Sequence, residues 1–208
     1  MFITFEGTEG SGKTSQLQPV ADYLRRQGWD VLTLREPGGT FIGEQIRKVL
    51  FNPENTQMRP RTEILLFQAS RAQLVEDVII PHLGKGGLVL SDRYADSTLA
   101  YQGFGYQLDL PPIRALVAFA THSLKPDLTL LFDLEVEVGL QRRASGGEWN
   151  RLDAYDLAFY RRVRQGYHQL ASEEPQRWVI VDAQQPPDLV QRAVCEVIAG
   201  RLKLAREP

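Results

Sequence analysis

The sequence predicts an α/β fold, a five-stranded parallel sheet with helices on both faces, and three observations predict it. Short apolar runs alternate with longer helical patterns along the 208 residues, which implies right-handed crossovers and parallel strands. A glycine-rich loop joins the first apolar run to the first helix. Charged residues stand just after four of the five apolar runs, where ligands sit in sheets of this kind.

The elements follow in order. Phe2–Glu6 reads as the first strand. A helix over residues 13–27 follows, closed by Gly28, which takes the left-handed conformation that ends helices. The second strand, 30–35, stops at Glu36-Pro37-Gly38-Gly39, a strong turn signal. Residues 41–50 read as a short helix and 61–83 as a long one, with Pro60 near its start. Strands three to five are 87–91, 128–134 and 178–181. Helices fill 111–123, 135–144, 153–171 and 187–204. Residues 142–152 hold Ser145-Gly146-Gly147 between Arg142, Arg143 and Arg151, the composition of a lid that closes over an anion.

This length fits one domain, 1–208. With 43% hydrophobic and 24% charged residues, the composition is ordinarily globular. A net charge of −2 and a pI near 6.0 argue against general nucleic-acid binding. Only five of the 24 basic residues are lysine; arginine is the better fork for phosphate and carboxylate. The single cysteine, Cys195, lies beside Val194 and Val197 and reads as a buried thiol, with no intrachain disulfide possible. No apolar run approaches the roughly 18 residues of a membrane span, and the first residues read as a strand, not a signal peptide. The expectation is a cytoplasmic protein without nucleic-acid or membrane partners.

Gly7-Thr8-Glu9-Gly10-Ser11-Gly12-Lys13-Thr14 matches G-x-x-x-x-G-K-[ST] between a strand and a helix, the context in which that motif cradles phosphates. The glycines let backbone N–H groups turn inward, and the helix N-terminus adds its positive end. Lys13 reaches β- and γ-phosphate oxygens, and Thr14 offers a hydroxyl to Mg²⁺. The fold expectation is therefore a P-loop NTPase. A carboxylate at Glu9 would repel phosphates, so it should point away from them, toward a donor such as a sugar hydroxyl of a second substrate.

No Asn-Lys-x-Asp motif follows, because Asn52, Asn55 and Asn150 precede Pro, Thr and Arg. A GTPase is thereby excluded, and small-molecule or nucleotide kinases lead. Asp92 ends an apolar run and is the candidate carboxylate for Mg²⁺, with Arg93 next to it as a bridge between two phosphates. Asp133 is the rival carboxylate, with capping of the helix at 135–144 the preferred reading. Ile64, Phe67, Arg71, Leu74 and Val78 share one helix face. Arg71 there needs an acceptor: either a base edge beside a stacked Phe67, or an internal partner such as Glu63 or Glu76. The three histidines show no metal spacing and read as structural.

Taken together, the sequence resembles the thymidylate kinases of bacteria. The matching pieces are Phe5-Glu6 with the P-loop, Arg35-Glu36-Pro37-Gly38-Gly39-Thr40, Phe67-Gln68-Ala69-Ser70-Arg71, Ser91-Asp92-Arg93-Tyr94, Ser97, Tyr101-Gln102-Gly103, Pro126-Asp127-Leu128-Thr129 and Val138-Gly139-Leu140. The resemblance implies a homodimer that converts dTMP to dTDP with ATP and Mg²⁺. It assigns Arg35 and Arg93 to the dTMP phosphate, with Ser97 beside them. Phe67 stacks on thymine, Arg71 meets its carbonyl and Gln102 its ring edge. Tyr101 crowds the 2′ position, Glu9 takes the 3′-hydroxyl, and residues 182–187 line the adenine. The lid departs from the family: Gly146 stands where an arginine is usual. Arg142, Arg143 and Arg151 are the candidates for that charge, with Arg151 ranked first. A deoxynucleoside kinase, which would need a base such as Glu36, and a nucleotide-binding regulator are the alternatives.

Overall fold

A computed structural model describes residues 1–145 and 151–204. Five strands form one parallel sheet: β1 (Phe2–Glu6), β2 (Val31–Arg35), β3 (Leu88–Asp92), β4 (Leu128–Asp133) and β5 (Trp178–Asp182). Their order is β2-β3-β1-β4-β5, so the central β1 is flanked by strands reached only through crossovers. Register sets Phe5 against Asp92 on one side and Leu130 on the other, and Arg35 against Asp92. The residues after β1, β2 and β3 thus meet at one end of the sheet.

The helices are α1 (Lys13–Arg26), α2 (Phe41–Phe51), α3 (Pro60–Leu74), α4 (Ile80–Gly84), α5 (Ala95–Thr98), α6 (Leu110–Thr121), α7 (Val136–Ala144), α8 (Leu157–Glu173) and α9 (Pro187–Leu204). Both sheet faces are covered, which is why the strands read as near-continuous apolar runs. Ile3, Phe5, Leu90, Leu130 and Phe132 pack with Val20 and Leu24 of α1 and Val194 and Ile198 of α9. On the other face Leu131 and Trp178 pack with Phe159, Tyr160, Val163 and Tyr167 of α8. Cys195 is buried and free. No helix of the described residues is long and apolar enough to cross a membrane.

Three elements differ from the sequence expectation. The helix expected over 61–83 runs as α3, a π-helical turn at Val75–Ile79, and α4. Pro81 lacks an N–H to continue the α-helical ladder, and the Ile80 N–H reaches back five residues to Val75 O. Ala95–Gly105, to which the sequence reading assigns no element, is helical, α5 continuing into a π-helical segment at Leu99–Gly105. Its glycines are close-approach positions, since a Cβ on Gly105 would meet the Phe159 ring. The helix expected from 153 starts at Leu157, where Asp156 caps it by accepting from Phe159 N at 2.7 Å; a 3₁₀ turn at Arg151–Ala154 precedes it.

Candidate active site

The P-loop lies between β1 and α1 as expected. Gly10 (φ 68°) and Gly12 (φ 89°) take left-handed conformations, which glycine adopts at no steric cost. A Cβ on Gly10 would collide with Gly139 O of α7, and one on Gly139 with Glu9 O. The loop crest therefore rests on α7, backbone against backbone.

Lys13 folds back into the loop. Its Nζ donates to Thr8 O at 2.7 Å and to Ser11 Oγ at 2.9 Å. Burial, and then the charge of Arg93, lower its pKa to about 8. Thr14 Oγ1 donates to Asp92 Oδ2 in a short hydrogen bond, so a hydroxyl and a carboxylate converge where the loop meets β3.

Arg93 sits at the centre. Its backbone is left-handed (φ 70°), a strained conformation for a non-glycine residue. NH1 donates to Gly7 O and Ser97 Oγ at 3.1 Å and to Tyr167 OH at 3.2 Å. NH2 donates to Glu9 Oε1 at 2.9 Å and Tyr101 OH at 3.0 Å, and the guanidinium stacks 4.8 Å from the Tyr101 ring centre. Glu9 does point to donors, namely Arg93 and the Tyr101 hydroxyl at 2.5 Å.

Beneath Arg93 lies Glu6, fully buried. It accepts from Tyr94 N at 2.8 Å, Ser97 Oγ at 2.6 Å and Tyr167 OH at 2.8 Å. Burial, and then the nearby Asp96 charge, raise its pKa to about 7, with Arg93 opposing them.

A cavity of about 440 Å³ opens over these groups. Lys13, Thr14, Glu9, Gly10, Asp92 and Arg93 line its P-loop end. Arg35, Phe67, Arg71, Ser97, Tyr101 and Gln102 line the rest. Gly7, Thr8, Ser11 and Gly12 lie in the loop without lining the cavity, and Arg151 does not line it either. Arg143 does, and Arg142 NH1 donates to Ala183 O at 3.0 Å, joining α7 to the loop after β5. Gly146 falls outside the described residues, as does the rest of 146–150 in the lid expected over 142–152.

Several partners differ from those the sequence suggested. Arg71 pairs internally, with neither Glu63 nor Glu76 but with Glu36, and also donates to Gln68 Oε1, Thr98 Oγ1 and Tyr94 O. Glu63 instead pairs with Arg151. Asp133 neither caps α7, whose N-cap is Glu135, nor joins the cavity; Arg164 holds it at 2.8 Å and His168 at 3.1 Å.

Sequence reasoning missed Arg47. It lines the cavity, stacks 4.4 Å from the Phe51 ring centre and donates to Pro37 O at 2.8 Å. Burial, and then the neighbouring Arg35 charge, lower its pKa to about 10. Its signal was present: Arg47 and Phe51 stand at i, i+4 on a helix that opens at the ligand end of β2.

A phosphate cradle facing a cluster of arginines, with an aromatic wall beyond, is the arrangement of a P-loop kinase that joins two nucleotides by their phosphates. Comparison with known proteins narrows the class. The thymidylate kinase family model matches residues 5–194. A thymidylate kinase of Thermomicrobium roseum is 52% identical over 206 residues, covering 99% of this chain and 97% of that one. One of Deinococcus radiodurans is 48% identical, covering 97% of each. The crystal structure of thymidylate kinase from Ehrlichia chaffeensis superposes with a TM-score of 0.80 at 32% identity, covering 95% of this chain and 98% of that one. The chain belongs to the thymidylate kinase family.

Proposed function

We propose that the cavity holds ATP and dTMP end to end, and that the chain transfers the γ-phosphoryl group of ATP to dTMP, giving ADP and dTDP for dTTP synthesis. The observation that carries this reading is the convergence of Lys13, Arg35, Arg47 and Arg93 on one cavity. Positive charge gathered on one cavity suits phosphate anions, and Lys13 and Arg47 are desolvated there while Arg35 stays half-exposed beside Glu44.

ATP phosphates lie in the P-loop, with Lys13 leaving its loop acceptors for their oxygens. The dTMP phosphate meets Arg35, Arg47 and Arg93, with Ser97 beside them. Glu9 takes the 3′-hydroxyl, Tyr101 fills the space a 2′-hydroxyl would need, and Phe67 stacks on thymine near Arg71 and Gln102. Among the described residues no three His, Cys, Asp or Glu side chains gather to hold a metal. The Thr14 hydroxyl and Asp92 carboxylate are hard oxygen donors suited to Mg²⁺, which typically keeps waters and takes one or two protein ligands plus phosphates. Bound there, Mg²⁺ supplies charge neutralisation for the β- and γ-phosphates.

The attacking atom is an oxygen of the dTMP phosphate, already anionic, so the chain needs no strong general base. It attacks the γ-phosphorus in line as ADP leaves. The residues contribute position and fixed positive charge: Lys13 and Arg93 hold oxygens of the two nucleotides, and a lid arginine covers the transferring group. Of the lid candidates Arg143 has the stronger support, because it lines the cavity and Arg151 does not. A nucleoside acceptor would need a base such as Glu36, but the cluster of Arg35, Arg47 and Arg93 on the same cavity favours an anionic monophosphate acceptor. The reading includes a cytoplasmic single-domain protein and a homodimer, the latter supported by Leu65 of α3 and Leu116 and Phe119 of α6, all exposed.

A coupled ADP-release assay over dTMP, thymidine and other nucleoside monophosphates tests the reading. Rapid turnover is expected with dTMP. Preference for thymidine, or ATP binding without turnover, would overturn it.

A further inference from the structure

We propose that Glu63 is a positioning residue for substrate choice: it fixes the amide of Gln102 so that only an acceptor oxygen is offered to the base. The inference rests on reading the cavity's Phe67 end as the base site.

Glu63 stands in the first turn of α3 with its side chain 1% exposed. A carboxylate only accepts hydrogen bonds, whereas a glutamine amide carries a donor and an acceptor of nearly the same shape. Gln102 must therefore turn its NH₂ to Glu63, and Nε2 donates to Glu63 Oε1 at 2.9 Å. Gln102 lines the cavity, so Oε1 is the end left for a ligand. Thymine and uracil carry a hydrogen on N3 and donate to that oxygen. Cytosine presents a bare N3 lone pair, and two acceptors would face each other.

The lock is itself held. Tyr106 OH donates to both Glu63 oxygens at 3.1 Å, Tyr155 OH to one at 3.2 Å, and Arg151 supplies the counter-charge. One buried carboxylate thus ties the base-reading amide to the chain that follows the lid. Arg151 is assigned here to Glu63, not to the γ-phosphate.

The test measures kcat and KM of the full chain for dTMP, dUMP and dCMP at saturating ATP. Glu63→Gln removes the acceptor-only partner and frees the amide to turn. The expected result is a rise in KM for dTMP, an unchanged KM for ATP, and at least a roughly tenfold fall in the dTMP-to-dCMP ratio of kcat/KM. In a Gln102→Ala background the same change should leave that ratio where it is. An unchanged ratio in Glu63→Gln, or an equal fall without the Gln102 amide, overturns the proposal. If Glu63→Gln does not fold, Glu63→Asp, shorter by one methylene, should lower the ratio where Gln102 is present and leave it unchanged in the Gln102→Ala background; an equal effect in both, or none in either, overturns the proposal. Inactivity of the unaltered chain toward dTMP would instead overturn the site reading itself.

Discussion

Arg71 and Glu36 meet through a single oxygen. Arg71 Nε donates to Glu36 Oε2 at 2.8 Å, and NH2 lies 2.7 Å from the same atom. Glu36 Oε1 is buried and has no hydrogen-bond partner among the described residues. Both side chains are almost wholly out of solvent, at 1% and 3% exposed. Burial raises the Glu36 pKa, with the Arg71 charge opposing.

Breaking that pair from one side should be severe. Glu36→Ala leaves a buried guanidinium without its carboxylate, a loss of about 3–5 kcal/mol. Adding Arg71→Met should restore much of it, since an apolar side chain needs no partner. Urea midpoints of the single and double variants check this; a mild single variant would show that Arg71 finds other acceptors.

Lys13 should take up a proton when ATP binds. Its pKa of about 8 leaves roughly half the side chains neutral at pH 8, and phosphate oxygens favour the charged form. Proton uptake approaching ~0.5 per ATP is expected near pH 8, fading toward pH 6, where the amine is already charged. Calorimetry in buffers of differing ionisation enthalpy reads the number, and Lys13→Ala should abolish the pH 8 component along with most turnover.

Glu6 should set part of the pH dependence of stability. Its folded pKa of about 7 exceeds the ordinary 4.5, so the folded chain holds this proton more tightly than the unfolded one. Its contribution is fully present below pH 4.5 and is lost as pH rises through 7, a change on the order of 3 kcal/mol. Glu6→Gln resembles the protonated form and removes the component. Relative to the unaltered chain, the variant should gain stability from about pH 5 to 7 and level off above that in urea titrations; parallel curves would exclude the effect.

The lid arginines should separate kinetically. Arg143→Ala is expected to lower kcat by about 10³ with little change in KM for dTMP, the size of effect an arginine at a transferring phosphoryl group produces. Arg151→Ala should chiefly raise KM for dTMP, through Glu63. Steady-state kinetics of the two variants decide, and a larger kcat loss in Arg151→Ala would reverse the assignment.

The phosphate cradle was legible because its chemistry is local: the glycine spacing makes the loop, and the loop makes the site. Asp92 and Arg93 were legible because strand ends are where ligands lie. Glu9 was legible by electrostatics alone, since a carboxylate in an anion cradle has to turn outward. The π-helical segment that carries Tyr101 and Gln102 was hidden, because its hydrogen bonding has no distinctive residue spacing. The ion pairs were hidden as well. Glu36 lies 35 residues from Arg71 and Glu63 88 residues from Arg151, separations over which only the folded topology selects partners.

The seating of Gly10 against Gly139 has a mechanical consequence. Helix α7 meets the anion cradle backbone to backbone at Gly10 and Gly139, an approach that no side-chain rotamer governs. Arg142 and Arg143 begin one turn further along the same rod. Their anchorage is therefore calibrated to the cradle before any nucleotide arrives, and a side chain added at either glycine would disturb the cradle and its counter-charges in a single stroke.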